Sequence, residues 1–291
     1  MVGSQCRDIR STAMCNSSAV LTLGVGCAFA WKSEVPTAAV LQVEPRTDGP
    51  EIVRHVWSTR PIVGSRSYID RFGNTCRRLI FPPGELTLRY DADALVAEEV
   101  DARDADAAEV APGDLPDNAL AFTLPSRFCQ SDVLADVAWE NFGLLPQGQA
   151  RVQAVCDFVH QHLTFRAGSS TPTTTAVDVY ESGEGVCRDF AHLMITLLRA
   201  LNIPARYAFG YLPDIGVPPP YEPMDFCAWT EVFLGGRWYT FDPRNNATRA
   251  GRVLIGRGRD AVDVAMVTSY GGPQLVEMSV WAEPRDRVAR A

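Results

Sequence analysis

The chain has 291 residues, 46% of them hydrophobic and 21% charged, and carries a formal net charge of −8. That length exceeds one ordinary core and favours two domains, while the acidic balance excludes the broad basic surface that nucleic-acid binding needs. Eight cysteines are scattered at 6, 15, 27, 76, 129, 156, 187 and 227 with no C-x-x-C pair, which argues against a dense disulfide framework or a structural zinc site and fits a reducing cytoplasm.

Residues 1–18 are polar and unpatterned and read as a loose tail. The apolar run "AVLTLGVGCAFAW" at 19–31 follows Arg7 and Arg10, an arrangement that invites comparison with a signal peptide. No small-x-small cleavage site follows it, and it is too short to span a bilayer. It therefore reads as a first β-strand, and no membrane association is expected. Short β-like runs follow at "AAVLQVEPR", "EIVRHVWS" and "RSYIDRFGNTCRRLIFPPGELTLRYD", with Phe72-Gly73-Asn74 as a hairpin turn. Strands at this spacing predict a β-sandwich-like domain over 19–122. Its end, "DADALVAEEVDARDADAAEVAPGDLPDN" at 91–118, is dominated by acids and closes in Pro and Gly. This stretch reads as a solvated linker.

The period changes in the second domain, 123–291. In "ARVQAVCDFVHQHLTF", Val152, Val155, Cys156, Val159 and Leu163 recur at helical spacing and predict a core-facing stripe. His160 and His162 stand off it or at its edge, and two apart on a helix they point to different faces, which disfavours a shared metal. A helix then begins at Val186 or Cys187. Phe190, Leu193, Met194, Leu197, Leu198 and Leu201 make its apolar stripe, Arg188, Asp189, His192, Thr196 and Arg199 face elsewhere, and "NIP" stops it. Strands follow at "ARYAFGYL", "FCAWTEVFL" and "RWYTFD". The expected class is α+β, a buried helix packed on an antiparallel sheet.

A cysteine at a helix N-terminus has its thiolate favoured by the helix dipole and by unpaired backbone N–H groups, and Arg188 offers a further positive charge nearby. Read alone, Cys187 is more often a buried cysteine opening a core helix than a nucleophile. The hairpin adds information: if "LGGR" is a two-residue turn, Leu234 pairs with Arg237 and Trp229 falls opposite Asp242. Position 227 then lies diagonal to Asp242 on the same face, the arrangement of a base held by an orienting acid.

The segments "GEGVCRDFAHLMITLLRALNIPARYAFGYL" and "DFCAWTEVFLGGRWYTFDPRNN" resemble the bacterial transglutaminase-like superfamily over roughly residues 150–246. The resemblance implies a papain-like core with a Cys-His-Asp triad, often preceded by a β domain, that attacks carboxamide or peptide carbonyls to give a thioester. Cys187 matches the family nucleophile and Asp242 the orienting acid. The family histidine falls on Cys227. At 227 two codon bases separate cysteine from histidine, so one miscalled base does not account for the difference.

Three functions follow as expectations. The first is a thiol acyl-transfer enzyme or peptidase using Cys187, with activity reduced or absent because Cys227 replaces the base. The second is a catalytically silent module that binds a peptide or protein segment. The third is a Cys187/Cys227 pair acting as a redox or metal-responsive site, with Asp242 as a further ligand. No cofactor and no bound metal are expected. Trp229 either lines the cleft or fills the core, Asn245 reads as a turn residue, and "PDIGVPPPYEPMD" between two strands either overhangs the cleft or forms a plain surface loop.

Overall fold

A computed structural model describes residues 19–219 and 223–285; the tail expected at 1–18, and residues 220–222 of the proline-rich loop, lie outside the described residues. Six strands come first: β1 (Val20–Ser33), β2 (Thr37–Leu41), β3 (Glu51–Arg60), β4 (Ser65–Ile69), β5 (Thr75–Phe81) and β6 (Gly84–Ala97). The helical part holds α1 (Asp117–Leu120), α2 (Ala135–Phe142), α3 (Gln149–His162), α4 (Ala176–Ser182) and α5 (Cys187–Ala200), with the short strands β7 (Thr164–Phe165) and β8 (Glu184–Gly185) between them. Then come β9 (Ala205–Tyr211), β10 (Cys227–Leu234), β11 (Arg237–Phe241), β12 (Val253–Gly258), β13 (Val267–Ser269) and β14 (Gln274–Pro284). The class is α+β, with three four-stranded sheets ordered β14-β1-β6-β3, β13-β2-β5-β4 and β11-β10-β9-β12, all antiparallel.

The first two sheets turn alternate residues inward, as strands with one buried face must. On β6, Leu86, Leu88, Tyr90, Ala92, Ala94 and Val96 are buried while most of their neighbours are not. Trp31 of β1 meets Phe81 of β5 with ring centroids 5.5 Å apart, which joins the two sheets. The apolar run at 19–31 is thus the central strand β1, flanked on both sides by pairing partners.

Two boundaries differ from the sequence expectation. The segment 123–291 does not stay in one unit, since β13 pairs with β2 and β14 pairs with β1 along ten residues. Nor is 91–118 linker throughout. Its first residues continue β6, and although most of 98–118 is exposed, three of its acids are held: Asp101 by Arg252, Asp104 by the Tyr239 hydroxyl, and Glu109 by Arg151 and the Gly148 N–H. Composition reported charge, and partners distant in sequence decided its use.

The third sheet carries α5 on one face. Every residue of β10 is buried, because it is an inner strand with α5 on one side and side chains from β9 and β12 on the other. The apolar stripe of α5 packs as expected, but its polar side is buried too. Arg199 donates to the carbonyls of Ala205, Leu124 and Arg259 and to the Ser126 hydroxyl. Thr196 donates to the His192 carbonyl, and His192 Nε2 accepts from the Ala261 N–H. A helix buried all round keeps polar residues only where each meets a partner.

Arg199→Met keeps the volume but leaves those carbonyls without their donor. At about 1–3 kcal/mol for a buried group left unpaired, we expect a loss of roughly 3 kcal/mol or more, read as a lowered urea midpoint with unchanged m-value.

Candidate active site

Cys187 is the first residue of α5. The entry is fixed by Asp189, whose carboxylate accepts the Val186 N–H at 2.8 Å while its own N–H donates to the Val186 carbonyl at 2.8 Å. Gly185 is required here, since a Cβ would lie 2.8 Å from the Cβ of Asp189. Arg188 bonds Asp189, the Ser170 hydroxyl and the Thr171 carbonyl, so the charge expected beside Cys187 is spent on Asp189 and the 170–171 segment. The nearby cation is instead Arg244, whose field reaches both Cys187 and Cys227.

Cys227 is the first residue of β10, and Leu234 pairs with Arg237 across a turn in which Gly235 and Gly236 have φ of 55° and 88°. Those left-handed values are what a type I′ hairpin demands. The register continues Thr230 to Phe241, so Trp229 and Asp242 follow as the next pair beyond the last bridge. Cys227 and Asp242 share a face, and both the Asp242 carboxylate and Cys187 act on the Cys227 thiol.

Asp242 is fully engaged. Its Oδ1 accepts the Asn245 N–H at 3.0 Å, and its Oδ2 accepts the Asn245 side-chain amide at 2.9 Å and Arg252 Nη2 at 2.9 Å. Arg252 also donates through Nε to Asp101 at 2.9 and 3.0 Å and lies over the Trp229 ring, 4.8 Å from its centroid. Trp229 is 2% exposed and packs with Ala208 and Leu254; it fills the core on this face. Behind Asp242, His160 Nδ1 donates to the carbonyls of Pro243 and Arg244, and Asn246 bonds Asp157 and Gln153 of α3.

Both thiols are shifted toward the protonated form. Burial raises the Cys187 pKa, against the opposing pull of the Ala228 N–H and Arg244. Burial also pushes Cys227 well up, and Asp242 and Cys187 push it further. His192 is buried between Phe128 and Tyr207, and burial holds its ring neutral. It anchors Ala261 and serves neither thiol. Cys27, Cys129 and Cys156 are core residues that burial pushes up to about 12. Among the described residues no group of three or more His, Cys, Asp or Glu is placed to hold a metal, and the Arg252 guanidinium on Asp242 opposes a cation there.

Sequence reading singled out Cys187, Cys227, Asp242 and Trp229 and missed Arg252, Asp101 and Arg244. Arg244 stands inside "FDPRNN" and was within reach. Arg252 and Asp101 lie outside every motif, and only the fold brings them to Asp242.

Comparison with known proteins agrees with this fold. The family model of the Transglutaminase-like superfamily matches residues 142–243. The crystal structure of a candidate cysteine protease from Cytophaga hutchinsonii superposes with a TM-score of 0.83 at 29% identity, covering 92% of both chains. The uncharacterized protein ML0607 of Mycobacterium leprae is 32% identical over 137 residues, 45% of this chain and 48% of that protein. Mb2599c of Mycobacterium bovis, also uncharacterized, is 38% identical over 117 residues, 36% of this chain and 37% of that one. The matches thus span about half or less of these mycobacterial relatives.

Arg252→Gln leaves Asp101 and Asp242 buried without their cation. Breaking such a pair costs about 3–5 kcal/mol, and we expect that loss in urea unfolding. In the double variant with Asp242→Asn the losses should fall short of their sum, because both changes remove the same interaction.

Proposed function

We propose, from the transglutaminase-like core that residues 142–243 of this chain form, that Cys187 marks a dormant thiol acyl-transfer site, and that the cleft binds peptide or protein amide segments with little or no turnover. The observation that carries this reading is the buried ion pair between Asp242 and Arg252 at 2.9 Å. The acid that would orient a base is neutralised by a guanidinium, and a thiol stands in the base's place.

The chemistry follows from the proton count. Attack of the Cys187 sulfur on an amide carbonyl forms the C–S bond of a thioester, breaks the C–N bond, and requires the thiol proton to leave and the departing amine to gain one. An imidazole performs both transfers. Cys227 is a neutral thiol at neutral pH, and making it a thiolate would add a negative charge beside Asp242. Loss of a general base removes about 10²- to 10⁴-fold in rate, and triad members act as a unit. The fold still presents the helix terminus and the Ala228 N–H to the sulfur, which favours binding a carbonyl without completing the exchange. The described cysteines are all free thiols, in keeping with a cytoplasmic protein.

Only the thiolate is alkylated, so a raised Cys187 pKa means a rate that is low at neutral pH and climbs about tenfold per pH unit until the folded-state pKa is passed. Peptide-mapped mass spectrometry should find this in the native chain, with an apparent pKa above about 8.5. In Cys227→His an imidazolium beside the sulfur lowers that pKa, and alkylation at neutral pH should rise by about tenfold or more. A native Cys187 that already reacts fast at neutral pH, with turnover of a peptide amide abolished by Cys187→Ser, would sink the dormant-site reading.

A further inference from the structure

The outward face of the sheet β13-β2-β5-β4 holds an unbalanced charge pair. Arg66 of β4 and Arg78 of β5 are direct cross-strand partners, and Arg78 in turn faces Val40 of β2. Opposed residues stand on the same face with Cβ atoms about 4.5–5.5 Å apart, and like charges there repel. Both arginines are exposed, and neither forms an ion pair or a side-chain hydrogen bond with the described residues. The adjacent Arg77, on the opposite face, is held by both oxygens of Glu44. Among the described residues no acid is paired in this way with Arg66 or Arg78.

The two arginines border a groove of about 630 Å³ whose lining includes Val40, Ile80 and Tyr270 and no Asp or Glu. Ile80 is 59% and Tyr270 72% exposed. The groove on the neighbouring sheet is different in kind: it contains Glu277 alongside Arg60 and Arg89, and Arg89 is paired with Asp91. In a chain of net charge −8, an acid-free groove with two uncompensated guanidinium groups is complementary to negative charge. Its size falls within the range of ligand sites and far exceeds what an inorganic anion fills. Its apolar floor would stay wet beneath such an ion.

We propose that this groove binds an acidic peptide segment, with a carboxylate seated between Arg66 and Arg78 and a neighbouring apolar side chain laid on Ile80 and Tyr270. Guanidinium groups suit this role because their planar forks match a carboxylate bidentately. The site is built on the N-terminal sheets and does not depend on Cys187, so a segment held here is recognised independently of chemistry at the thiol.

The test is fluorescence anisotropy on the full chain with a labelled peptide alternating leucine and aspartate, set against its leucine-asparagine counterpart. We expect the aspartate peptide to bind at least about tenfold more tightly, to weaken with added salt, and to lose that advantage in the Arg66→Gln, Arg78→Gln double variant. Tyr270→Ala should weaken both peptides alike. Relieving the repulsion should leave the urea midpoint of the double variant unchanged or raised, which separates lost binding from lost folding. Equal affinity for the two peptides, undiminished binding to the double variant, or no binding to the native chain would each overturn the proposal. Inorganic phosphate displacing the peptide at equal affinity would overturn it in favour of a simple anion site. A native dimer that the double variant dissolves in sedimentation would assign the groove to a second copy of the chain.

Discussion

A single guanidinium holds the site in its observed state. Arg252 sits between Asp101 and Asp242 with its side chain and both carboxylates almost wholly out of water. It therefore joins the segment that leaves the first sheets, the loop that follows β11, and the start of β12. Two buried carboxylates without that cation would be driven to take up protons or admit water. With it, the pair is satisfied, and the orienting power of Asp242 is directed to an arginine and an asparagine. The strap formed by the acidic segment, the tight turn at 242–246 and the stacking on Trp229 all follow from this placement.

The state of Cys187 is a contest that magnitudes decide. A helix N-terminus favours a negative charge by about 0.3–1 kcal/mol, and by up to about 2 in favourable, partly buried geometry. Burial disfavours the charged form of an acidic group, each pKa unit being 1.36 kcal/mol. Cys187 is partly buried, and its pKa is raised, with burial the largest cause. An imidazolium at about 4 Å would contribute about 4 kcal/mol at an effective dielectric of 20, roughly three pKa units, enough to reverse the balance. Arg244 acts in that direction but ranks below burial for both thiols.

What was legible in the sequence was local and periodic. The start of α5 followed from an abrupt apolar stripe, and the hairpin register followed from "LGGR", where two glycines admit the left-handed values a two-residue turn needs. What escaped was set by partners far away in the chain. Arg188 looked like a charge for the thiol, yet its guanidinium is bonded to Asp189 and Ser170. The polar side of α5 faced away from the apolar stripe, yet it is buried too, because Arg199 and His192 Nε2 meet carbonyls and an N–H from other segments. The acidic run at 91–118 looked like linker because composition cannot show that Arg151, Tyr239 and Arg252 wait for its carboxylates. The return of β13 and β14 to the first sheets had no signature beyond short β-like runs, since nothing in a strand's own residues says which edge it will join.

That return explains why the two halves act together at Cys227. Phe226, immediately before it, stacks on Phe29 of β1 with centroids 6.4 Å apart and contacts Tyr211 at 5.4 Å, while the Tyr211 hydroxyl donates to the Val43 carbonyl at 2.8 Å. The residue that sets the entry of β10, and whose carbonyl lies 3.7 Å from the Cys187 sulfur, is thereby seated on a strand of the N-terminal sheet. That strand is itself held in place on one side by β14. Close-packed protein cores transmit small displacements instead of absorbing them, so the position of the 226–228 backbone over the thiol is a property of both halves. A superposition extending over 92% of the chain, beyond the 142–243 match, fits this reading: the β sheets form part of the wall that fixes where Cys187 and residue 227 meet.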